Sequence, residues 1–269
     1  MSKVKVCMVG AAGKMGRRII CLLSENSNAE LKGALEHSKS PFLGMDAGEV
    51  AGCGKNGVAI VADLETAVKG CDVIIDFTGC EPTMNILNDY VRLGVPLVVG
   101  STGFSPEQTD ELNAAAAKFP LLLSPNMSLG VNLTFKVLEM VSKAIGNTYD
   151  IEIVEAHHRL KKDAPSGTAM KMGEVVANAI GRDINKDGAF CRKGIIGERT
   201  DREIGMQTLR AGDIVGEHTV MFCGQGERIE ITHRAHTRDT FAQGAISAAI
   251  FMKGKPKGHT YNMYDVLGL

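Results

Sequence analysis

Short apolar runs alternate with stretches of helical spacing along the first half of the chain. After the first run, apolar residues recur at Met15, Ile19, Ile20 and Leu23, which predicts an amphipathic helix. Strands that alternate with helices are typical of right-handed crossovers, so this half predicts a parallel sheet. The predicted strands cover residues 4–9, 30–35, 58–62, 72–76, 96–99 and 121–123.

One long connection, residues 38–57, interrupts this order. It contains five glycines and shows no clear period, so we expect an irregular segment that could act as a mobile flap. Further on, Pro82 near a helix start and Gly94 after its end predict one helix between them. Ser105 and Gln108 form a capping-box pattern that predicts the start of the next helix.

The pattern changes beyond residue 127. A longer helix is predicted over 128–145, with Leu133, Val137, Met140, Val141 and Ile145 on its buried face. An alternating strand at 149–155, a helix at 168–180 and strands at 207–210, 214–222 and 228–234 follow. This order predicts an α+β arrangement with a mixed or antiparallel sheet. A final helix at 241–252, rich in small residues, is expected to pack on the first domain.

Composition narrows the class of protein. The chain has 44% hydrophobic and 23% charged residues and a formal net charge of -1, which gives no reason to expect nucleic acid or an anionic membrane as partner. No run is long enough to span a bilayer, and no signal peptide is visible. The seven cysteines are scattered without a C-x-x-C pair, which is typical of reduced thiols, so we expect a cytoplasmic protein without a bound metal.

A glycine turn follows the first predicted strand. Gly10, Gly13 and Gly16 form a variant of the dinucleotide fingerprint, in which glycines permit a tight turn and close approach of the backbone to a pyrophosphate. Glu36 ends the second strand, where an acidic side chain is needed to bind ribose hydroxyls. The fold class predicted is therefore α/β: a Rossmann-type parallel-sheet domain at 1–127 and 239–269, plus an α+β domain with a mixed sheet of four or more strands at 128–238.

Two further loops follow strand ends of the same predicted sheet. They are residues 100–103 and 124–127, and ligands of such sheets lie beyond the carboxyl ends of the strands. We expect both loops to face the nucleotide, although either loop could serve only to turn the chain.

The segment 155–168 carries the most distinctive chemistry. It places His157, His158, Lys161 and neighbouring cations between a strand and the start of a helix, whose free N–H groups favour carboxylate or phosphate. An imidazole titrates near neutrality, so this segment is the candidate reacting centre. A solvated basic loop is the alternative, and a metal site is disfavoured because no Cys pair or third His lies at ligand spacing.

These motifs together resemble the 4-hydroxy-tetrahydrodipicolinate reductase (dihydrodipicolinate reductase) family over essentially the whole chain. The most specific match is residues 155–169, which read E-A-H-H-R-L-K-K-D-A-P-S-G-T-A. Supporting matches lie at 9–16, 76–78, 100–104, 126–132, 210–218 and 230–233.

The resemblance implies an NAD(P)H-dependent reduction of a cyclic dicarboxylate in the diaminopimelate route to lysine. It implies that His157 is the proton donor and acceptor, that Lys161 is a second proton donor, and that His158, Gly167 and Thr168 bind substrate. It also implies a homotetramer built through the sheet of the second domain. The nucleotide-binding positions that it implies are Gly10, Ala11, Ala12, Gly13, Lys14, Met15, Glu36, His37, Gly100, Ser101, Thr102, Ser124, Pro125, Asn126 and Met127.

One position departs from the family pattern. The family often has Arg after the acidic residue, whereas this chain has His37, and a neutral imidazole is a weaker phosphate ligand than a guanidinium. Glu36 would also repel a 2′-phosphate, so we expect NADH to be used at least as well as NADPH, unless Lys39 binds the phosphate instead. Two alternatives stay open: another NAD(P)-dependent dehydrogenase of the aspartate pathway, or a regulator that binds NAD(H) without turnover.

Overall fold

The computed structural model describes residues 2–269 and divides the chain into two compact units. Unit 1 comprises Met1–Leu129 and Asp239–Leu269, and unit 2 comprises Gly130–Arg238. No helix in the described range is long and apolar enough to cross a lipid bilayer.

Unit 1 is built around a parallel sheet whose strands run in the order β12-β6-β5-β4-β1-β2-β3. This confirms the predicted Rossmann-type domain. Its elements are β1 (Val4–Val9), α1 (Lys14–Glu25), β2 (Ala29–Leu35), α2 (Ala47–Ala51), β3 (Ile60–Val61), α3 (Leu64–Val68), β4 (Val73–Asp76), α4 (Cys80–Asn85), α5 (Leu87–Leu93), β5 (Leu97–Val99), α6 (Pro106–Ala115), β6 (Leu121–Leu123), α10 (Asp239–Met252), β12 (Thr260–Tyr261) and α11 (Met263–Leu267).

Both faces of this sheet are buried, which explains why its strands read as continuous apolar runs. Along β1, Val6 and Met8 belong to a core that includes residues of α1 and α10. Cys7 and Val9 point to the other face and join a second core, which includes residues of α5 and α6. The ends of β1, β2 and β4 thereby fix the loops that follow them at one edge of the sheet.

Three features of unit 1 differ from the sequence-based expectations. The connection at 38–57 contains the helix α2, whose start is capped by the Asp46 carboxylate; Gly48, Glu49, Asn56 and Gly57 donate backbone N–H groups to it. The single helix expected before Gly94 is broken at Ile86 into α4 and α5. The last segment also adds strand β12, which pairs in parallel with β6.

Unit 2 contains a mixed sheet in the order β11-β10-β7-β9-β8, in which β10 pairs antiparallel with β7 and β11 while β9 pairs in parallel with β7 and β8. The expectation of a mixed sheet with at least four strands is confirmed. Its elements are α7 (Leu129–Ile145), β7 (Asp150–His157), α8 (Gly167–Ala179), α9 (Ile184–Asp187), β8 (Gly188–Ala189), β9 (Ile204–Arg210), β10 (Gly216–Cys223) and β11 (Arg228–Ala235).

The buried face expected for α7 is wrong. Leu133 and Met140 are 46% and 65% exposed, whereas Val131, Phe135 and Leu138 are buried. Apolar residues occur around most of this helix, so their spacing alone did not distinguish the face that packs. Strand β7 also extends further than predicted, to His157.

Candidate active site

The glycine turn of unit 1 is shaped by Gly10, which has a φ of 80° that favours glycine. The Gly10 N–H donates to the Leu35 carbonyl at 3.0 Å, which ties the turn to the end of β2. Gly16 is required for close packing, because a Cβ there would lie 2.1 Å from the Gly10 carbonyl oxygen. The turn therefore brings backbone N–H groups and the start of α1 to the edge of the sheet.

Glu36 lies beside this turn. Its Oε1 accepts the Ala12 N–H at 2.8 Å, and its Oε2 accepts the His37 N–H at 3.3 Å. The His37 imidazole is 68% exposed, with Nε2 at 4.0 Å from the Glu36 carboxylate. The residue predicted to bind ribose is thus fixed at the turn predicted to bind pyrophosphate.

A cavity of about 430 Å³ opens at this edge of the sheet and is lined by several predicted cofactor residues. Gly10, Gly13, Glu36 and His37 line it together with Phe77 and Thr78. A second cavity of about 310 Å³ is lined by residues of the other predicted loops. Those residues are Met15, Gly100, Thr102, Pro125, Asn126 and Met127, alongside Phe77 and Phe241.

Five predicted cofactor residues line neither cavity. One of them, Ala12, donates its backbone N–H to Glu36. Ala11 is buried in the core, and Lys14 is exposed at the first position of α1. Ser101 and Ser124 are buried, and the hydroxyl of Ser124 donates to the Asn126 carbonyl at 2.8 Å. These two serines support the loops rather than present side chains to the cavities.

A buried carboxylate at the end of β4 organises one of these loops, a role that the local sequence pattern does not indicate. Asp76 is fully buried and accepts the Thr78 N–H at 2.8 Å, the Thr83 hydroxyl at 2.9 Å and the Tyr90 hydroxyl at 3.0 Å. Burial raises the pKa of Asp76, and the hydrogen bond from the Thr78 hydroxyl opposes that rise. The Ser101 hydroxyl accepts the Gly79 N–H at 2.9 Å, which links the loops after β4 and β5.

In unit 2, the end of β7 places Glu155 and His157 on one face of the strand. The Glu155 side chain is 0% exposed, and its Oε2 lies 2.6 Å from His157 Nδ1. Arg210 of β9 donates from both terminal nitrogens to the same carboxylate at 2.8 Å, and the Ser166 N–H donates to it at 3.0 Å. Glu155 therefore joins two strands and the start of α8.

Two opposing effects set the protonation of this pair. Burial would raise the pKa of Glu155, but hydrogen bonds from Arg210 and His157 outweigh it, so the pKa is lowered. Burial lowers the pKa of His157, and the hydrogen bond to Glu155 opposes that effect. The imidazole is accordingly neutral near pH 7, next to an ionised carboxylate.

The other predicted residues of the segment follow His157 along the chain. Lys161 Nζ lies 2.9 Å from Asp163 Oδ2, and the lysine side chain is 21% exposed. Nδ1 of His158 is buried and has no hydrogen-bond partner within the described chain. Gly167 is exposed at the first position of α8, where a Cβ would have no atom within 4 Å, and Thr168 follows it. The helix start thus offers an open backbone surface to a small anion.

His218 is a further buried side chain of this region. Its Nε2 lies 3.1 Å from the hydroxyl of Ser166, which caps α8, and its ring meets the His157 ring edge-on at 5.1 Å. Burial, followed by the charge of His157, lowers the pKa of His218 to about 4. Within residues 2–269, His, Cys, Asp and Glu side chains nowhere gather in a group of three or more that would hold a metal ion.

The sequence contains a signal that Glu155 is a buried charge. Period-two alternation puts Glu155 on the same face as Ile151 and Ile153, which are both fully buried. A charged residue at such a position requires a partner, and only the sheet register shows that Arg210 supplies it.

Two family models match the chain. The model described as the N-terminus of dihydrodipicolinate reductase covers residues 4–127, and the one described as its C-terminus covers residues 130–267.

Individual proteins agree with this match. The chain is 53% identical to 4-hydroxy-tetrahydrodipicolinate reductase of Syntrophotalea carbinolica over 99% of both chains, and 54% identical to that of Geobacter sulfurreducens over 100% of both. Among solved structures, it is similar to a dipicolinate-bound dihydrodipicolinate reductase from Paenisporosarcina sp. TG-14, with a TM-score of 0.73, 24% identity, and coverage of 98% of this chain and 99% of that one. At that identity the structural likeness supports the fold.

Proposed function

This chain belongs to the dihydrodipicolinate reductase family, and we propose that it reduces 4-hydroxy-tetrahydrodipicolinate to tetrahydrodipicolinate in lysine biosynthesis by the diaminopimelate route. It is an NAD(P)H-dependent oxidoreductase. The observation that carries the proposal is the neutral, carboxylate-bound imidazole of His157 beside Lys161 and the open start of α8.

The residues of unit 1 fit a nicotinamide dinucleotide. The glycine turn and Gly16 leave backbone free to approach a pyrophosphate, and the Glu36 carboxylate can accept hydrogen bonds from ribose hydroxyls. When bound, the reduced nicotinamide supplies hydride to a ring carbon of the substrate. The proposed nucleotide site comprises the glycine turn, Glu36, His37 and the loops at 100–102 and 124–127.

We assign substrate binding to the α8 start and its neighbours. The substrate carries two carboxylates, which suit the N–H groups of Gly167 and Thr168 at the positive end of a helix dipole. The Lys161 ammonium adds a charge-assisted hydrogen bond, and we assign a further polar contact to the His158 imidazole.

His157 is the proposed proton donor and acceptor, and Lys161 is the proposed second proton donor. Hydride addition leaves negative charge in the conjugated ring, and a proton must neutralise it. His157 Nδ1 is held by Glu155, so Nε2 is the nitrogen that exchanges a proton with the substrate. In the neutral ring Nε2 is an acceptor, and it donates only from the imidazolium that forms when it has taken up a proton. Lys161 is a positioned ammonium whose Asp163 partner is 60% exposed, so that a substrate carboxylate can replace it.

The assembly and location are part of the same proposal. We place the chain in a homotetramer formed through the unit 2 sheet, because the outer face of that sheet presents Val154, Met221 and Leu209, the last 53% exposed. All seven cysteines are free thiols, which supports a cytoplasmic location. The division at residues 127/128 and 238/239 is proposed to separate the nucleotide-binding domain from the domain that binds substrate and forms the oligomer.

Turnover tests the function directly. The product of condensing aspartate semialdehyde with pyruvate should cause loss of NAD(P)H absorbance when the protein is added. His157→Ala and Lys161→Ala should bind cofactor normally and lose at least about 100-fold in kcat. Cofactor binding without substrate-dependent oxidation in the native protein would instead favour the NAD(H)-sensing alternative, and undiminished rates in both variants would refute the catalytic assignment.

A further inference from the structure

The Glu155 carboxylate is saturated with hydrogen bonds although it is fully buried. Besides His157 and Ser166, it accepts the Thr208 hydroxyl at 3.2 Å and a bidentate pair from Arg210. A buried carboxylate in such surroundings stays ionised, because each of its oxygens faces hydrogen-bond donors. An ionised carboxylate at 2.6 Å from a ring nitrogen draws the imidazole proton to that nitrogen.

Arg210 extends this arrangement to the loop that carries Lys161. Its Nη2 donates both to Glu155 and, at 2.6 Å, to the carbonyl of Asp163. The Asp163 carboxylate in turn pairs with Lys161 at 2.9 Å. One guanidinium therefore connects the carboxylate that holds His157 to the backbone of the loop that holds the second proton donor.

We propose that Glu155 and Arg210 act as a single positioning pair, which holds His157 with its proton on Nδ1 and fixes the Lys161 loop and the α8 start relative to that ring. This inference rests on the proposed function, since it explains how the two proposed proton donors are held in place. Neither residue is required to touch the substrate. Loss of the pair misplaces the proton donors and leaves the nucleotide site intact.

The pKa of His157 depends on charged groups from several neighbouring elements, and Glu155 and Arg210 are two of these groups. Glu155 on β7 favours the imidazolium, whereas Lys161 on the following loop and Arg210 on β9 disfavour it. His218 on β10 faces the ring edge-on and is neutral above about pH 4. Glu155 is the one group in this set that stabilises the protonated ring, and its removal lowers the pKa of His157.

Nitrogen-15 NMR of ring-labelled histidine measures the tautomer and the titration midpoint of His157 without any need for turnover. In the native protein we expect His157 to be neutral near pH 7 with Nδ1 protonated. In Glu155→Gln we expect a mixture of tautomers and a midpoint lower by at least about one pH unit. A native ring protonated on Nε2, or an unchanged tautomer and midpoint in the variant, would overturn the proposal.

Kinetics provide the second readout and a matched control. Glu155→Gln should lose at least about tenfold in kcat, with the limb of the kcat/KM profile that reports His157 displaced in the same direction as the NMR midpoint and NADH affinity unchanged. Arg210→Lys, which keeps the charge but not the fork, should lose kcat while retaining the Nδ1 tautomer. Asp187→Asn removes a similar site, with bidentate Arg202 and a backbone N–H from Asp183, and should leave kcat and His157 unchanged.

These outcomes separate the two proposals. A native protein that shows the expected tautomer but oxidises no NADH retains the positioning pair and loses the proposed function. If Glu155→Gln does not fold, the native tautomer and the Arg210→Lys kinetics still decide the question. Equal loss of kcat in Asp187→Asn and Glu155→Gln would overturn the pair as a positioning device.

Discussion

The backbone N–H of Ala12 donates to Glu36 Oε1 at 2.8 Å, so the carboxylate at the end of β2 is bonded to the glycine turn after β1. Parallel pairing of β1 with β2 aligns these two strand ends. The negative charge is consequently fixed where the adenosine ribose of a dinucleotide is expected, and any group bound there must tolerate it.

Cofactor choice follows from this bond. A 2′-phosphate would lie near the Glu36 carboxylate, and the exposed His37 imidazole lacks the bidentate geometry with which a guanidinium binds phosphate. We expect kcat/KM for NADH to equal or exceed that for NADPH. His37→Arg should raise kcat/KM for NADPH by about tenfold while changing that for NADH less than about threefold.

Steady-state kinetics with both cofactors check this prediction. Lys39→Ala serves as the control, because Lys39 is the exposed cation that would otherwise bind the phosphate. A native preference for NADPH above about tenfold, abolished by Lys39→Ala, would show that the lysine rather than residue 37 governs the choice.

Gly167→Ala should separate binding from folding. The added Cβ meets no atom within 4 Å, and alanine is the better helix former, so the free energy of unfolding should stay equal or rise by up to about 1 kcal/mol. The methyl group would nevertheless occupy space beside the N–H groups proposed to receive a carboxylate. We expect KM for the dicarboxylate to rise about tenfold with unchanged NADH affinity; an unchanged KM would remove Gly167 from the substrate site.

Asp76 should be among the residues whose loss most destabilises unit 1. Asp76→Ala leaves the buried Tyr90 hydroxyl and the Thr78 N–H without their acceptor, whereas the Thr83 hydroxyl keeps the Gly79 carbonyl, and the cost should be about 3 kcal/mol or more. Tyr90→Phe removes one of these hydrogen bonds and should cost about 1 to 2 kcal/mol. Urea unfolding followed by circular dichroism suits a chain without tryptophan. A larger loss in Tyr90→Phe than in Asp76→Ala would contradict this account.

Acid should destabilise the fold partly through His218. Its pKa is lowered by burial from 6.5 to about 4, so the unfolded chain takes up a proton before the folded chain does. The stabilising contribution is therefore complete above about pH 6.5 and is lost as pH falls toward 4, with an upper size of about 3 kcal/mol.

Thermal or urea unfolding between pH 7 and 4 measures this loss. His218→Gln cannot titrate and should show a shallower decline in stability than the native chain. His236→Gln, at an exposed position, is the control and should follow the native curve. Parallel curves for all three proteins would exclude His218 as a source of the acid sensitivity.

Local pattern was sufficient for much of unit 1. Buried parallel strands contain continuous apolar residues, and caps such as Ser105 mark a helix start through bonds to nearby backbone. Residues that depend on distant partners were harder to find. Asp46 caps α2 while accepting N–H groups from Asn56 and Gly57, and such a closed loop has no periodic signal.

In the candidate site, too, local pattern predicts some residues, whereas others depend on distant partners. The sequence indicated His157, Lys161 and the α8 start because they are adjacent along the chain. Glu155 gains its role from Arg210, 55 positions away, through a strand register that no local pattern fixes. The wrong face of α7 has a related cause: Leu133 and Phe135 are equally apolar, and only tertiary packing decides which is buried.

The return of Asp239–Leu269 to unit 1 has a consequence for how this protein folds while it is being translated. Strand β12 completes the edge beyond β6, and α10 supplies buried residues to the core that includes β1. A ribosome releases these elements after unit 2, so the nucleotide-binding unit cannot be completed during translation until unit 2 has emerged. A nascent chain stalled before Asp239 would therefore expose an unfinished sheet edge to chaperones, although it already holds the histidine pair.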